Sequence, residues 1–286
     1  MMRKTVLITG TSTGLGISLA LQAAQAGHRV YASMRDLKRR AALDREAAEL
    51  GVDIEVVELD VQDTNSVNRA IDEVLADAGG IDTLINNAGA GFVRSTEQAS
   101  EADIQWVMDV NFMGVVRCTK AVLPHMRTQR AGHVINISSV GGLVGQPFNE
   151  IYCAAKFAVE GYTESLASYI TPSFGINFTS VEPGGITSEF ASNVMKHIES
   201  SGGMLDDEYL PILQKYIGGA RNRQGGQDIY QSCDDVAKVV IDCVNADDPP
   251  IRTRTSPWSE AFTALKTGLD PDGRKQQALV IEQFLS

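Results

Sequence analysis

"KTVLITGTSTGLGISLALQAAQAG", residues 4–27, joins a short β-branched run to a helical pattern through a glycine-rich turn. The first run is rich in Val, Leu and Ile, which is typical of a parallel strand buried on both faces. Gly10, Gly14 and Gly16 lie between the strand and the helix. Glycines at such a junction let the backbone approach a ligand closely, and the N–H groups at the start of the helix attract a phosphate. The segment therefore predicts a dinucleotide site at this turn.

Strand-like and helical patterns alternate along most of the remaining chain. Further strands are predicted at 28–34, 53–61, 81–89, 132–139 and 175–185, with a last short one near 251–255. The sections between the strands have helical spacing, including long helices over 101–130 and 150–171. The alternation predicts one α/β domain over residues 1–286, a Rossmann-type doubly wound parallel sheet of about seven strands with helices on both faces.

The alternation weakens between about 188 and 232, where Gly, Ser, Asn and charged residues are frequent. We expect an irregular substrate-loop insertion there, with short helical pieces around Met195 and Leu210. Three Gly-Gly pairs, at 202–203, 218–219 and 225–226, are candidate hinges. The segment also contains the apolar residues Met195, Met204, Leu205, Leu210 and Leu213. These residues fit an apolar lid over a substrate, and they fit equally a helix packed on the core.

Composition limits the possible partners and compartment. The chain has 286 residues, 43% of them hydrophobic, and a formal net charge of -11. This acidity argues against binding nucleic acid or anionic lipid, because such proteins carry a basic surface. The four cysteines lack metal-site or CxxC spacing, so they are expected to be buried small hydrophobes, and no metal is predicted. Neither a signal peptide nor a membrane span is visible, which predicts a cytoplasmic protein.

Small and polar residues follow the predicted strands at one edge of the sheet. Asp60 and Val61 end the third strand, and "NNAG" (86–89) ends the fourth. Ser138 and Ser139 end the fifth, and "PGGIT" (183–187) ends the sixth. In a doubly wound sheet the ligand lies over the carboxyl ends of the strands. We therefore expect these residues to surround a bound dinucleotide together with the glycine turn.

Tyr152 stands four residues before Lys156 in a helical stretch. Residues four apart share one face of a helix. A neighbouring ammonium favours the phenolate, so this pair predicts a tyrosine whose pKa is pulled below its usual value near 10. Such a tyrosine can exchange a proton with a substrate oxygen. The alternative is an ordinary surface Tyr–Lys pair.

The ordered set TGTSTGLG, Asp60, NNAG, Asn111, Ser139, Tyr152-x-x-x-Lys156 and PGGIT resembles the short-chain dehydrogenase/reductase family. The resemblance runs over residues 5–187. The stretch "SSVGGLVGQPFNEIYCAAKFAVEGYTESLA" (138–167) also resembles the branch that contains the 17β-hydroxysteroid and retinol dehydrogenases. Beyond residue 190 no family motif is visible.

The resemblance implies an oxidoreductase that interconverts a ketone or aldehyde and an alcohol with a nicotinamide cofactor. It implies Tyr152 as general acid/base, Lys156 as the group that binds the nicotinamide ribose, and Ser139 as a donor to the substrate oxygen. Asn111 would hold a water next to the lysine; otherwise it is an interior polar residue. Strand alternation does not separate Ser139 from Ser138. Ser139 and Tyr152 would also bind the substrate.

The predicted cofactor-binding residues come from the glycine turn, the strand ends and the Tyr–Lys pair. They are Gly10, Ser12, Thr13, Gly14, Leu15, Gly16, Arg35, Asp60, Val61, Asn87, Ala88, Gly89, Tyr152, Lys156, Pro183, Gly184, Ile186 and Thr187. Asp60 is expected to contact the adenine amine, or alternatively to cap the following loop.

The end of the second strand favours NADP(H) over NAD(H). NAD-selecting enzymes usually place an acidic residue there for the ribose hydroxyls. Here the position is assigned to Met34, and Arg35 follows with a guanidinium suited to a phosphate. Ser12 can add a hydroxyl donor. The alternative is that Arg35 merely begins the next helix and that Asp36 binds the ribose.

The substrate is expected to be a bulky apolar carbonyl compound, such as a steroid, retinoid or aromatic ketone, and the protein a homodimer or homotetramer. The alternatives are a 3-oxoacyl-type or small-carbonyl reductase, and a catalytically idle dinucleotide sensor. An epimerase or dehydratase would need a larger C-terminal domain. A hydrolase triad of Ser139 with His125 or His133 lacks both an acid partner and a G-x-S-x-G turn.

Overall fold

The computed structural model of the protein describes residues 2–200, 202–224 and 229–285. Its strands are β1 (Thr5–Thr9), β2 (Arg29–Met34), β3 (Glu55–Glu58), β4 (Thr83–Asn86), β5 (Gly132–Ile137), β6 (Ile176–Glu182), β7 (Gly185–Thr187), β8 (Tyr230–Ser232) and β9 (Arg252–Arg254). Its helices are α1 (Leu15–Gln25), α2 (Ala41–Leu50), α3 (Thr64–Ala78), α4 (Glu101–Met108), α5 (Gly114–Gln129), α6 (Glu150–Phe174), α7 (Glu189–Ser200), α8 (Leu210–Gln224), α9 (Cys233–Asn245), α10 (Pro257–Thr267) and α11 (Arg274–Leu285).

Seven of these strands form one sheet in the order β3-β2-β1-β4-β5-β6-β9. Every neighbouring pair in it is parallel. The order reverses between β1 and β4, which is the point where doubly wound folds bind their ligands. The predicted Rossmann-type sheet of about seven strands is therefore confirmed.

The two faces of the sheet carry separate apolar clusters. On one face α1 and α9 cover buried residues of β1 and β2, such as Val6 and Val30. On the other face α3, α5 and α6 cover Leu7, Tyr31 and Leu84. Because side chains alternate along a strand, a sheet covered on both faces needs apolar residues at successive positions. This explains why the strands appear in the sequence as continuous apolar runs.

The glycine turn takes a shape that requires glycine. Gly10 and Gly14 have φ values of 72° and 54°, in the left-handed region. A Cβ on Gly16 would lie 2.2 Å from the Gly10 carbonyl oxygen. The turn is thus packed so tightly against the first residues of α1 that only glycine fits at its end.

Two regions differ from the sequence-based prediction. The predicted helix over 101–130 is interrupted, because Asp109–Met113 form a π-helical turn between α4 and α5. The segment 188–232 is more regular than predicted, since α7 and α8 fill much of it. The pair 218–219 lies inside α8, not at a hinge, and the pair 225–226 lies outside the described residues.

A second, two-stranded parallel sheet was not predicted. In it β7 pairs with β8, so that Gly185 lies opposite Tyr230 and Thr187 opposite Ser232. Because of this pairing, the chain that follows α8 lies beside the PGGIT segment after β6. Within the part of the chain that the structure describes, no helix combines the length and hydropathy needed to cross a bilayer.

Candidate active site

The turn after β4 is tied to the glycine turn by hydrogen bonds. The Asn87 side-chain amide donates to the carbonyl oxygens of Thr9 and Gly10, at 2.9 and 3.0 Å. The backbone N–H groups of Asn87 and Ala88 both donate to the Thr9 hydroxyl at 3.0 Å. The two predicted cofactor-binding turns therefore form one rigid unit at the carboxyl edge of the sheet.

Tyr152 and Ser139 meet at this edge. Tyr152 lies in the first turn of α6, and its phenol lies close enough to the Ser139 hydroxyl for that hydroxyl to lower its pKa. Ser139 follows β5 and its hydroxyl also accepts from the Gly141 N–H at 3.0 Å. Both residues are partly exposed, whereas Ser138 is buried and faces Glu160 on the other side of the strand end. The geometry thus brings Ser139, and not Ser138, to the phenol.

Lys156 lies below the tyrosine and is almost fully buried. Its ammonium nitrogen donates to the Ile137 carbonyl oxygen at 2.9 Å and lies 5.8 Å from the centre of the Tyr152 ring. A Cβ placed on Gly89 would be 3.7 Å from the same nitrogen. The lysine therefore joins the tyrosine helix to the end of β5 and lies beside the turn after β4.

The two pKa values shift in opposite directions, and burial is the main cause of both. Burial raises the pKa of Tyr152 to about 12, although the neighbouring Ser139 hydroxyl acts in the other direction. Burial lowers the pKa of Lys156 to about 8, while the charge of Glu160 raises it. The prediction that Lys156 holds the pKa of Tyr152 below its usual value is wrong for the protein alone, because desolvation of the phenolate outweighs the distant ammonium.

Asn111 lies in the π-helical turn and is completely buried. Its side-chain oxygen accepts from the Ala90 N–H at 3.0 Å, and its amide donates to the carbonyl oxygens of Ala90 and Val107 at 2.9 Å. The same oxygen lies 3.0 Å from the position of a Cβ on Gly89. Asn111 thus fixes the chain directly after NNAG, close to Lys156.

The glycine turn has the features that a dinucleotide phosphate needs. Helix α1 begins after Gly14 without a side-chain cap, which leaves N–H groups of its first turn for a ligand. Ser12 and Thr13 are partly exposed beside it, and β7, which contains Ile186 and Thr187, leads into Ser188, whose Cβ is 3.3 Å from the position of a Cβ on Gly14. The residues present therefore fit a bound dinucleotide.

The remaining predicted cofactor residues surround this turn. Pro183 is buried and its carbonyl oxygen accepts from the Val140 N–H at 2.9 Å. This bond connects the PGGIT segment to the turn after β5 that contains Ser138 and Ser139, called the serine turn below. Gly184 packs against Trp258. Asp60 is partly buried, and one of its carboxylate oxygens accepts from the Gln62 N–H at 3.0 Å. Asp60 thus caps its own loop and keeps its second oxygen for another partner, while Val61 packs against Gly114.

Three consecutive side chains at the end of β2 lie in different surroundings. Met34 is the last residue of the strand and is buried in the core. Arg35 and Asp36 are exposed, and the Asp36 carboxylate accepts from the Lys38 N–H at 3.0 Å. Only the Arg35 guanidinium is therefore an exposed cation directly after the strand.

Comparison with known proteins agrees with this geometry. A family model described as short chain dehydrogenase matches residues 4–199. The chain belongs to the short-chain dehydrogenase family. Retinol dehydrogenase 8 of Bos taurus is 39% identical over 276 residues, covering 94% of this chain and 86% of that protein. The 17-beta-hydroxysteroid dehydrogenase type 1 of Homo sapiens is 36% identical, covering 90% and 78%. The 3-ketodihydrosphingosine reductase of Bacteroides thetaiotaomicron is 35% identical and covers 96% of each chain.

Solved structures of the family share the fold. A short chain dehydrogenase/reductase from Burkholderia phymatum in complex with NAD is 25% identical with a TM-score of 0.78, and the match covers 92% of each chain. Actinorhodin polyketide ketoreductase with NADPH is 26% identical with a TM-score of 0.71, covering 92% of this chain and 94% of that one. The chain is thus a dehydrogenase of this family, similar to both retinol and steroid dehydrogenases.

Several residues of this short-chain dehydrogenase lie at the site without having been predicted there. The Phe190 ring of α7 packs against the Tyr152 ring at 5.9 Å between centroids. A Cβ on Gly14 would lie 3.3 Å from Ser188 and 3.9 Å from the Cys233 sulfur. Cys233 is partly exposed, unlike the other three cysteines, so its predicted burial is wrong. These contacts depend on where β7 and α9 return to the sheet, and no local sequence pattern signals that.

The hydrolase alternative has no support from the histidines. His133 lies at the start of β5, opposite to the end that carries Ser139, and its ring bonds the Thr179 hydroxyl at 2.8 Å. Burial lowers the pKa of His133 to about 3. His125 accepts from the Ile81 N–H at 3.4 Å. Both imidazoles therefore have structural partners away from the site.

Proposed function

We propose that this chain is an NADP(H)-dependent carbonyl reductase and alcohol dehydrogenase that acts on a bulky apolar substrate. The observation that carries the proposal is the arrangement of Ser139, Tyr152 and Lys156 beside the turn at Gly89. A nicotinamide cofactor, when bound, supplies or accepts the hydride. The chain itself has to hold the substrate oxygen and move the proton.

Tyr152 is proposed as the proton donor in the direction of reduction. With a pKa raised to about 12, the phenol keeps its proton at neutral pH and can give it to the developing alkoxide. Ser139 then donates its hydroxyl hydrogen to the same oxygen and stabilises the charge that forms there. Because the Ser139 hydroxyl and the Tyr152 phenol are neighbours, one carbonyl oxygen can accept from both.

Lys156 is proposed to act from the buried side of Ser139 and Tyr152. Its ammonium keeps one hydrogen bond to Ile137, so its other hydrogens remain for the cofactor ribose that the family resemblance assigns to it. Asn111 fixes the backbone of Ala90, and with it the turn that faces the lysine. The side-chain amide of Asn111 already donates to two carbonyl oxygens. A water held near Lys156 would therefore donate its hydrogen bond to the main-chain carbonyl oxygen of Asn111 or to the remaining lone pair of its side-chain oxygen.

The cofactor preference is proposed from the end of β2. Arg35 is exposed at that position, whereas the Asp36 carboxylate is engaged by a backbone N–H. A guanidinium favours a 2′-phosphate through charge-assisted hydrogen bonds. The family includes complexes with NADPH and with NAD, so this residue and not the fold supports NADP.

The substrate class is proposed from the surroundings of Tyr152. Phe190 packs on the tyrosine, and Phe148 and Tyr216 form a second aromatic pair with centroids 6.1 Å apart. Met204 and Leu205 are exposed in the connection between α7 and α8. The similar proteins are a retinol dehydrogenase, a hydroxysteroid dehydrogenase and a ketosphingoid reductase, whose names all indicate large apolar substrates.

A turnover assay tests the proposal. Purified protein is incubated with NADPH or NADH and a panel of steroid, retinoid, sphingoid and small ketones or aldehydes, and cofactor absorbance is followed. We expect turnover of at least one large apolar carbonyl compound, faster with limiting NADPH than with limiting NADH. Binding of cofactor with no turnover of any compound would favour the idle dinucleotide sensor.

A further inference from the structure

A buried carboxyl pair lies directly behind the proposed catalytic residues. Glu160 is one turn after Lys156 on α6, and Glu182 is the last residue of β6, before the PGGIT segment. Their carboxyl groups lie close enough to affect each other's pKa, and both residues are buried, Glu182 with 0% exposure. The proposed function uses neither residue.

The surroundings of the pair are buried and closely packed. The Ser180 hydroxyl donates to Glu160 at 2.7 Å, and the Ser138 hydroxyl lies beside the same carboxyl group without a hydrogen-bond partner among the described residues. A Cβ on Gly142 would lie 2.7 Å from the Ser138 oxygen and 3.1 Å from the Glu160 Cγ. The serine turn and α6 thus pack closely against each other beside Glu160.

If both carboxyl groups are ionised, one buried carboxylate oxygen of the pair has no hydrogen-bond donor in the part of the chain that the structure describes. Among the described residues no group donates to Glu182 Oε1, which is buried. Its other oxygen accepts from Arg254 at 3.2 Å. A proton held between the two carboxyl groups satisfies Oε1 and removes one of two like charges. Burial raises the pKa of both groups, which agrees with a protonated pair.

The charges around the pair come from three elements. On α6 these are Lys156 and Glu164, on β9 Arg252 and Arg254, and on α10 Glu260, while the neutral Ser138 directly follows β5. Arg254 is shared between Glu182 and the half-exposed Glu260, which lies at 3.0 Å. Lys156 is the only one of the cations on the active-site side of Glu160, and the charge of Glu160 raises the pKa of Lys156.

We propose that Glu160 and Glu182 share a single proton, and that the one negative charge they retain is a positioning element that keeps Lys156 in its ammonium form. The pair touches three segments that carry the site, namely the serine turn, helix α6 and the strand end before Pro183. The functional consequence for turnover rests on the proposed function. The charge state itself does not.

Two isosteric variants test this, because they fix the charge on opposite members of the pair. Glu160→Gln leaves the charge on Glu182, next to Arg254 and away from Lys156. Glu182→Gln leaves it on Glu160, next to Lys156, while Arg254 keeps Glu260 as a partner. We expect the pKa of Lys156 to fall in the first variant and to rise in the second, each by about half to one unit.

The pKa of Lys156 is measured directly by NMR on protein with 13Cε-labelled lysine, with Lys156→Met to assign the signal. Glu164→Gln is the matched control, since it removes a neighbouring charge from the same helix and keeps both members of the pair, so it should shift the Lys156 titration less than either pair variant does. Infrared spectra should contain a protonated-carboxyl band at neutral pH in the wild type that is lost in Glu160→Gln. Circular dichroism and thermal unfolding verify that each variant folds.

Opposite shifts of the Lys156 titration together with the infrared band establish the proposal. Shifts in the same direction, unchanged titrations in both folded variants, or a wild type without the band would overturn it. If a ketone is turned over, the alkaline limb of its reduction rate should move with the Lys156 titration in each variant. Absence of turnover with opposite shifts would sink the proposed function and leave the shared proton standing.

Discussion

At the scale of single residues, burial determines the protonation states of the Tyr152 phenol and the Lys156 amine. It raises the pKa of Tyr152 to about 12 and lowers that of Lys156 to about 8. At neutral pH the protein alone therefore holds a phenol above an ammonium, which is the combination that carbonyl reduction needs. Oxidation of an alcohol needs the phenolate instead, and a bound oxidised cofactor with its positive ring would favour that form.

Replacing Tyr152 and Lys156 should separate their roles. Tyr152→Phe removes the transferable proton and keeps the ring that packs on Phe190, so we expect unchanged cofactor affinity and at least about a hundredfold loss of kcat. Lys156→Met should weaken cofactor binding as well as turnover. Cofactor fluorescence titration and initial rates measure both effects. An active Tyr152→Phe variant, or full cofactor affinity in Lys156→Met, would contradict these assignments.

The buried lysine should also make stability depend on pH. Its pKa in the folded chain, about 8, lies below the ordinary value of 10.5, so between these values the unfolded chain binds more protons. The free energy of unfolding should therefore rise with pH across this window relative to Lys156→Met, by up to about 3 kcal/mol. Urea unfolding of both proteins at pH 7.5, 9 and 10.5 measures it. A difference that stays constant would show that the lysine is not desolvated.

Cofactor preference should depend on Arg35. Arg35→Ala removes an exposed cation without disturbing the core, so we expect NADPH affinity to fall at least about tenfold and NADH affinity to change little. Met34→Asp should move the preference toward NADH, but Met34 is buried in the core and the carboxylate will also cost stability. Arg39→Ala, in the next turn, is the matched control. Faster wild-type turnover with limiting NADH would make Asp36 the residue to test.

At the scale of elements, α7 and α8 are held less firmly than the helices beneath them. In α7, Val194 and Ile198 are the buried apolar residues described, whereas α6 buries ten residues. The connection to the rest of the domain consists of a few ring contacts, such as Phe190 with Tyr152. Polar bonds are added by Gln98 with Asp207, Glu97 with Tyr209 and Asn149 with Tyr216. Few apolar contacts and exposed polar contacts are the signature of a segment that opens locally.

Hydrogen exchange should therefore distinguish α7 and α8 from α6. Without ligand, we expect the amides of α7 and α8 to exchange well before those of α6, and to slow when cofactor and an apolar substrate are both bound. Tyr209→Phe, which removes the bond to Glu97, should speed exchange in α8 and leave α6 unchanged. Equal protection of α6 and α7 in the ligand-free protein would mean that α7 is ordinary packed structure.

The elements that were predictable from sequence are those with a repeated pattern. β1 to β6 and the helices between them have clear apolar periodicity over four or more residues. β7 and β8 have three residues each, too few for any pattern, and their pairing joins positions 45 apart. The π-helical turn at Asn111 has the composition of the α-helices around it. Glu160 and Glu182 were missed because charged residues are usually exposed, and only the fold buries them together.

At the scale of the whole molecule, an exposed stripe on α6 is unusually free of charge. Ala154, Phe157, Gly161, Ser165 and Tyr169 are all exposed and recur at helical spacing. Phe157 and Tyr169 are exposed by 43% and 47%, and Met113 at the start of α5 by 40%. Helix α4 adds Ile104 and Met108, which are only half-buried. An apolar stripe with small residues between its aromatic ends suits close packing against another helix.

We expect this surface to form a contact between copies of the chain, giving a homodimer or homotetramer with closed symmetry. Phe157→Glu replaces one of the two aromatic side chains of the stripe by a charge, so it should shift the protein to a monomer at working concentration. Light scattering and sedimentation measure the mass, and Leu265→Glu, at an exposed leucine on α10, is the matched control that should leave the mass unchanged. Because Phe157 follows Lys156 directly, loss of the contact should also lower turnover through the helix that carries Tyr152. A monomeric wild type, or an unchanged assembly in a folded Phe157→Glu variant, would exclude this surface as the contact.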